Sequence, residues 1–203
     1  MDRRAAAGAP RRRPLAGAVA AGAVAGVAAG RSRAAQQAVA GGSRYQMRQR
    51  MFSIGDDFVI QNAQGQPAFR VDGKALRIRS TLFFETMQGQ QLYKIQERMV
   101  RVRDSMSILR PDGSPAAKVH NALITPLRDR WQIDIPGGAG LSTKGNIVNH
   151  EYRIEQGGRP VATVSKQWFR IRDSYGVDIA PGQDDALILA ICTVIDMMAH
   201  EGR

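Results

Sequence analysis

A short motif recurs along this 203-residue chain: a turn glycine, an alternating strand, then an arginine-rich strand ending at or near an acid. It reads QGQPAFRVDGKALRIRS from Gln64, QGQQLYKIQERMVRVRD from Gln88, DGSPAAKVHNALITPLRD from Asp112 and GGRPVATVSKQWFRIRD from Gly157. Gly65, Gly89, Gly113 and Gly158 lie 24, 24 and 45 residues apart, so the last interval holds one extra hairpin. Glycine supplies the positive φ of tight hairpin turns, and Pro67, Pro115 and Pro160 suit strand entry where no ladder donor is needed. Apolar residues alternate between the turns, the period of half-buried strands. Such runs predict about a dozen short strands from Phe58 to Ile179, which in one domain implies a closed barrel or a sandwich.

The pattern stops at Pro181. From Ala186 the chain reads ALILAICTVIDMMA, apolar at almost every position around a helical wheel. A helix apolar on all sides must be buried on all sides, in a core or a membrane. Asp184 to Met198 reaches only about 22 Å and is interrupted by Asp196, short of a bilayer. Asp184 and Asp185 suit the helix N-terminus. A helix over about 184–198 enclosed by a β-barrel satisfies both halves of the pattern, so the expected fold class is mainly β with one helix.

Charge is unevenly spread. The formal net charge is +11, but residues 1–44 hold eight arginines against Asp2, a net +7, which leaves +4 for the rest. That weak residual charge, without a recognised reading motif, argues against specific nucleic-acid binding by the body. Residues 1–44 read as a disordered Ala/Gly/Arg-rich extension, and 45–200 as the folded domain. A cleavable export signal built on Arg11 to Arg13 and the uncharged stretch from Leu15 is the minority alternative. A start near Met47 or Met51, which makes residues 1–44 a spurious extension, stands with disorder ahead of export, because arginine outnumbers lysine 24 to 5, the codon bias of a GC-rich bacterium. No transmembrane span is expected, and the location expected is cytoplasmic, with a peripheral membrane association.

The residues from Tyr45 to His200 resemble the LURP-one-related family, which stands with Tubby C-terminal domains and phospholipid scramblases in one superfamily. The resemblance is carried by RYQMRQRMFSIGDDF (Arg44 to Phe58), DGKALRIR (Asp72 to Arg79), HEYRIEQGGRPVATVSKQWFRIRDSYGVDI (His150 to Ile179) and PGQDDALILAICTVID (Pro181 to Asp196). It implies a twelve-stranded antiparallel barrel threaded by a hydrophobic C-terminal helix, and relatives that begin near Tyr45. Tubby domains bind phosphoinositide head groups at a basic outer patch and scramblases are associated with lipid movement, so the resemblance carries lipid binding only by analogy of fold.

Three Arg-x-Arg strands form the most informative constellation: Arg77 and Arg79, Arg101 and Arg103, Arg170 and Arg172. Period 2 sets both arginines of a pair on one face and the residue between them on the other. Adjacent strands of this kind make an outer stripe suited to bidentate phosphate contact, which Lys74 and Lys166 join. The competing reading is a cross-strand ladder neutralised by Glu97, Asp104, Asp129 and Asp173. The expected function is thus a non-catalytic binding or scaffold module with an anionic lipid or acidic protein partner. A ligand-free protein-interaction barrel is the alternative, and an enzyme comes third.

Other motifs are weaker. Gly137 to Ser142 lacks the helix and Lys-Ser/Thr ending of a phosphate loop, so a hairpin connection is expected. Trp131, Trp168 and Phe169 read as core or rim packing. His150 beside Glu151, and Asp178, have no nucleophile or paired carboxylate at catalytic spacing. Cys192 is expected to be buried and inert. One cysteine and three scattered histidines predict no metal site and no cofactor, and Asp184 and Asp185 lack the oxygen-rich loop calcium needs.

Overall fold

The computed structural model describes residues 41–48, 57–73, 81–98, 105–122, 130–166 and 174–200. These form twelve strands: β1 (Ser43–Arg48), β2 (Phe58–Asn62), β3 (Pro67–Asp72), β4 (Thr81–Thr86), β5 (Gln91–Arg98), β6 (Ser105–Leu109), β7 (Pro115–Ala122), β8 (Arg130–Asp134), β9 (Leu141–Asn146), β10 (Glu151–Gln156), β11 (Arg159–Ser165) and β12 (Ser174–Ile179). One helix, α1 (Asp185–His200), follows. Each strand pairs antiparallel with its neighbour in sequence, and β1 closes the ring by pairing with β12 from Ser43↔Ile179 to Arg48↔Ser174. The barrel alternative is therefore the one realised. β1 lies ahead of the run from Phe58 in which alternation is legible, and without it the sheet would not close.

Four hairpins slip by one residue beside their glycine turns, three of them opposite a proline and the fourth, between Phe84 and Glu85, opposite Gln91. Registers shift between Ile60 and Gln61, Ile108 and Leu109, and Ile154 and Glu155, where the partner strands carry Pro67, Pro115 and Pro160. The slip occurs with or without proline, so the bulge belongs to the turn; a proline, having no N–H to give, is tolerated at such an irregular position, and the barrel gains local twist there. Gly65, Gly89 and Gly113 have φ of 76°, 80° and 82°, and their amides donate back to Asn62, Thr86 and Arg110 across the turn.

Strict antiparallel order gives the barrel two unlike rims. One rim carries the turns at Gly65, Gly89, Gly113, Gly137, Gly158 and Gly182. At the other, the chain leaves and returns between Arg48 and Phe58, Asp72 and Thr81, Arg98 and Ser105, Ala122 and Arg130, Asn146 and Glu151, and Ser165 and Ser174. α1 enters at the turn rim and points its C-terminal end toward the connection rim. The wall presents Met47, Ile60, Val71, Leu82, Phe84, Ile95, Ile108, Val119, Ile133, Ile154 and Val177 in one core with Ile188 to Met197 of α1. Every residue from Ile188 to Met197 is buried, as a helix apolar on all sides requires.

Candidate functional site

Of the eight cations expected to form an anion site, Lys166 alone lies among the described residues. It is half-buried at the end of β11, and its backbone N–H donates to Glu151 Oε1 at 2.9 Å. Lys74, Arg77, Arg79, Arg101, Arg103, Arg170 and Arg172 lie outside the described residues, as do Asp104, Asp129 and Asp173 of the proposed ladder. Their flanking strands are described. Asp72 and Thr81, Arg98 and Ser105, and Ser165 and Ser174 all stand at the connection rim, next to the exposed Arg48 that ends β1.

Arginines within the described strands show what this barrel does with outward charge. Arg70 sits opposite Glu85 on the neighbouring strand and donates to it through Nε at 3.2 Å. Arg44 sits opposite Asp178 and grips both its oxygens, with Nη2 to Oδ2 at 2.8 Å. Hydrogen bonding to Asp178 raises the Arg44 pKa further, against the opposing effect of burial. Arg153 lies 3.3 Å from Glu155. The carboxylates of these pairs are largely buried and their arginines cover them from the solvent side. Asp178, one of the sequence's acid–base candidates, is occupied here as an arginine partner.

The interior holds the molecule's most unusual chemistry, and it gathers at the connection-rim end of α1. Asp196, 2% exposed, accepts a short hydrogen bond from the Tyr175 hydroxyl of β12. His150 Nε2 lies 3.3 Å from Asp196 Oδ1, and the His150 ring stacks on Tyr175 with centroids 4.3 Å apart. His150 is held there by backbone in the left-handed region, φ 53°, at the end of a turn in which its N–H donates to Ile147 O at 2.9 Å. The Tyr152 hydroxyl of β10 is buried in the same region without a hydrogen-bond partner among the described residues. Burial pushes the Tyr175, Tyr152 and Cys192 groups well above their usual values, with Asp196 adding to each. All three stay protonated, so Cys192 is the inert thiol expected. A hydrogen bond to a charged acceptor is worth about 1.5–3 kcal/mol, and an abandoned buried carboxylate costs more.

This cluster escaped sequence reasoning. Glu151 is the neighbour of His150 in the sequence, but it faces Ser165, whose Oγ donates to it at 2.9 Å. The true partner of His150 is 46 positions along the chain on the helix. The only advance signal was an aspartate inside a run that must be buried. At 0–2% exposure the cluster offers no solute a path, and its chemistry serves to hold α1.

The opposite end of α1 follows the expected capping. Asp184 Oδ1 accepts from Leu187 N at 2.9 Å, the N-cap to N3 bond. Its Oδ2 accepts from the Tyr93 hydroxyl of β5 at 2.5 Å, and Asp185 Oδ2 accepts from the Tyr45 hydroxyl of β1 at 2.8 Å. The remaining motifs take ordinary places. Trp131 packs in the core, Gly137 turns between β8 and β9 with φ 71°, and Trp168 and Phe169 lie outside the described residues. Among the described residues no group of three or more His, Cys, Asp or Glu is placed to hold a metal, and no helix is long and apolar enough to cross a membrane.

Comparisons with known proteins agree with this architecture. The chain is 27% identical over 174 residues to the uncharacterized protein YxjI of Bacillus subtilis, covering 76% of this chain and 92% of the relative. Its fold is similar to the X-ray structure of an Arabidopsis thaliana protein, with a TM-score of 0.58 at 13% identity, over 77% of this chain and 92% of that one. Neither likeness indicates a catalytic family. The LURP-one-related family model matches residues 43–196, which is the whole barrel and nearly all of its helix, and the chain belongs to that family.

Proposed function

We propose that this barrel is a non-catalytic module that binds anionic phospholipid head groups at its connection rim, through Arg77, Arg79, Arg101, Arg103, Arg170, Arg172, Lys74 and Lys166. One observation carries the reading: the segments that join the strands at the two rims differ in charge in the sequence. The turns of one rim, 63–66, 87–90, 110–114, 135–140, 157–158 and 180–184, contain a single cation, Arg110. The segments joining strands at the other rim, 49–57, 73–80, 99–104, 123–129 and 166–173, contain ten cations and five acids. Three of those segments, between β11 and β12, β3 and β4, and β5 and β6, carry all eight proposed residues. They follow one another around the barrel with only the β1–β2 connection between, whose first flank is the exposed Arg48. Each cation near an anionic membrane surface is worth about 1 kcal/mol, so an arc of them suffices for salt-sensitive docking. This use places the protein in the cytoplasm, peripheral at the membrane, without cofactor or metal.

Co-sedimentation of the full chain with neutral and anionic vesicles, at low and physiological salt, tests this. Binding to anionic vesicles alone is expected, falling with salt. Arg101→Glu/Arg103→Glu should weaken it by about tenfold or more while leaving the thermal midpoint within a few degrees. Since the first 44 residues and their +7 charge are retained in the variant, undiminished binding would move the contact away from the rim.

A second reading rests on Arg70–Glu85 and Arg44–Asp178, each facing its partner directly across neighbouring strands. If the Arg-x-Arg pairs form such ladders too, the barrel is a protein-interaction scaffold with no ligand. The same double substitution would then lower the thermal midpoint and leave vesicle binding unchanged.

A further inference from the structure

The residues from Ile188 to Met197 are buried at every angle around α1, so apolar burial alone hardly distinguishes one seating of the helix from another. A slip of one residue moves the helix about 1.5 Å along and 100° around its axis and again sets a mostly apolar face against a mostly apolar wall. The polar contacts are not interchangeable in this way. The three acids at and within α1 each accept a hydrogen bond from a tyrosine on a different strand: Asp184 from Tyr93 of β5, Asp185 from Tyr45 of β1, and Asp196 from Tyr175 of β12. The chain contains four tyrosines, and the fourth, Tyr152 of β10, is buried without a hydrogen-bond partner among the described residues and takes no part in these contacts.

We propose that the tyrosines act as a register lock, and that hydroxyl–carboxylate contacts at both ends select the one depth and rotation at which α1 occupies the barrel. The two ends answer for different errors. A one-residue slip swings Asp196 away from Tyr175 and His150 into the aliphatic wall, leaving a buried carboxylate without its donor, which the interior tolerates poorly. A slip of a whole turn keeps Asp196 on its original face but shifts it about 5.4 Å, and draws Asp184 and Asp185 off Tyr93 and Tyr45 by the same distance. Only the observed seating satisfies all three acids. A single polar residue in an apolar helical interface fixes register in the same physical way.

The test is the number of seatings, which stability alone does not report. Amide NMR spectra of the full chain carrying Tyr45→Phe/Tyr93→Phe/Tyr175→Phe should keep dispersed strand signals but split the α1 amides into two or more sets. Leu189→Ala, which removes packing and leaves the hydroxyls, should lower the thermal midpoint and retain one set. A single set of α1 amides at native positions in the triple variant would overturn the proposal. Should that variant fail to fold, Tyr175→Phe and Tyr45→Phe/Tyr93→Phe decide together: split α1 amides in either support the lock, and one native set in both overturns it.

Discussion

Tyr45 and Tyr93 place titratable hydroxyls at the turn-rim end of the helix, and their setting makes stability depend on alkaline pH. Partial burial and then the hydrogen bond and charge of Asp185 push the Tyr45 pKa up to about 12, with Ser43 opposing. Burial and Asp184 push Tyr93 higher still, with Arg110 opposing. A folded-state pKa above the unfolded value near 10 favours the protonated form in the native state. Their contribution is therefore complete below about pH 10 and is lost as pH rises through the raised value. The thermal midpoint should fall between about pH 10 and 12, and Tyr45→Phe/Tyr93→Phe should make that fall shallower while lowering the midpoint at pH 8. An unaltered slope in thermal scans across this range would mean that other groups carry the alkaline transition.

Among the elements, α1 bears the most consequence per residue, because it supplies the filling for twelve strands. Leu189 and Ile191 are fully buried, and Leu189→Asp or Ile191→Asp should prevent folding, since a carboxylate without a donor there costs several kcal/mol. Circular dichroism and a urea transition check this, and cooperative folding of either variant would place the helix outside the wall. The helix and most strands were legible in the sequence because their signals are local. A period of two marks β3, β5, β7 and β11, and apolar residues at every angle announce a helix with nowhere to go but inside. β1 was less legible: SRYQMR reveals its role only through β12, with Arg44 and Asp178 separated by 134 positions. The same reason hid the tyrosine contacts and the His150–Asp196 approach, since a hydroxyl or imidazole does not advertise which distant carboxylate it will meet. The N-cap at Asp184 was legible because its partner is three residues away.

For the molecule as a whole, the seam between β1 and β12 decides whether there is a barrel at all. Gly42 stands just outside it, and a Cβ there would meet the Ile179 carbonyl oxygen at 1.7 Å, a backbone atom that cannot step aside cheaply. Gly42→Ala should destabilise by about 1–3 kcal/mol, the range for forced overpacking, and amide exchange should quicken in β1 and β12 before the other strands. Uniform exchange across all twelve would mean that closure is not the weak point. Joining ends so far apart in sequence is also slow, since loop entropy is spent before the contacts form. The position of α1 after every strand adds a matter of timing during synthesis. A nascent chain with all its strands made still lacks the helix they close around, and Ile60, Phe84, Ile108 and Ile154 have only one another to hide against. Until the last sixteen-residue element clears the ribosome, the wall is a hollow shell exposed to aggregation, and a holding chaperone has most to offer in that interval.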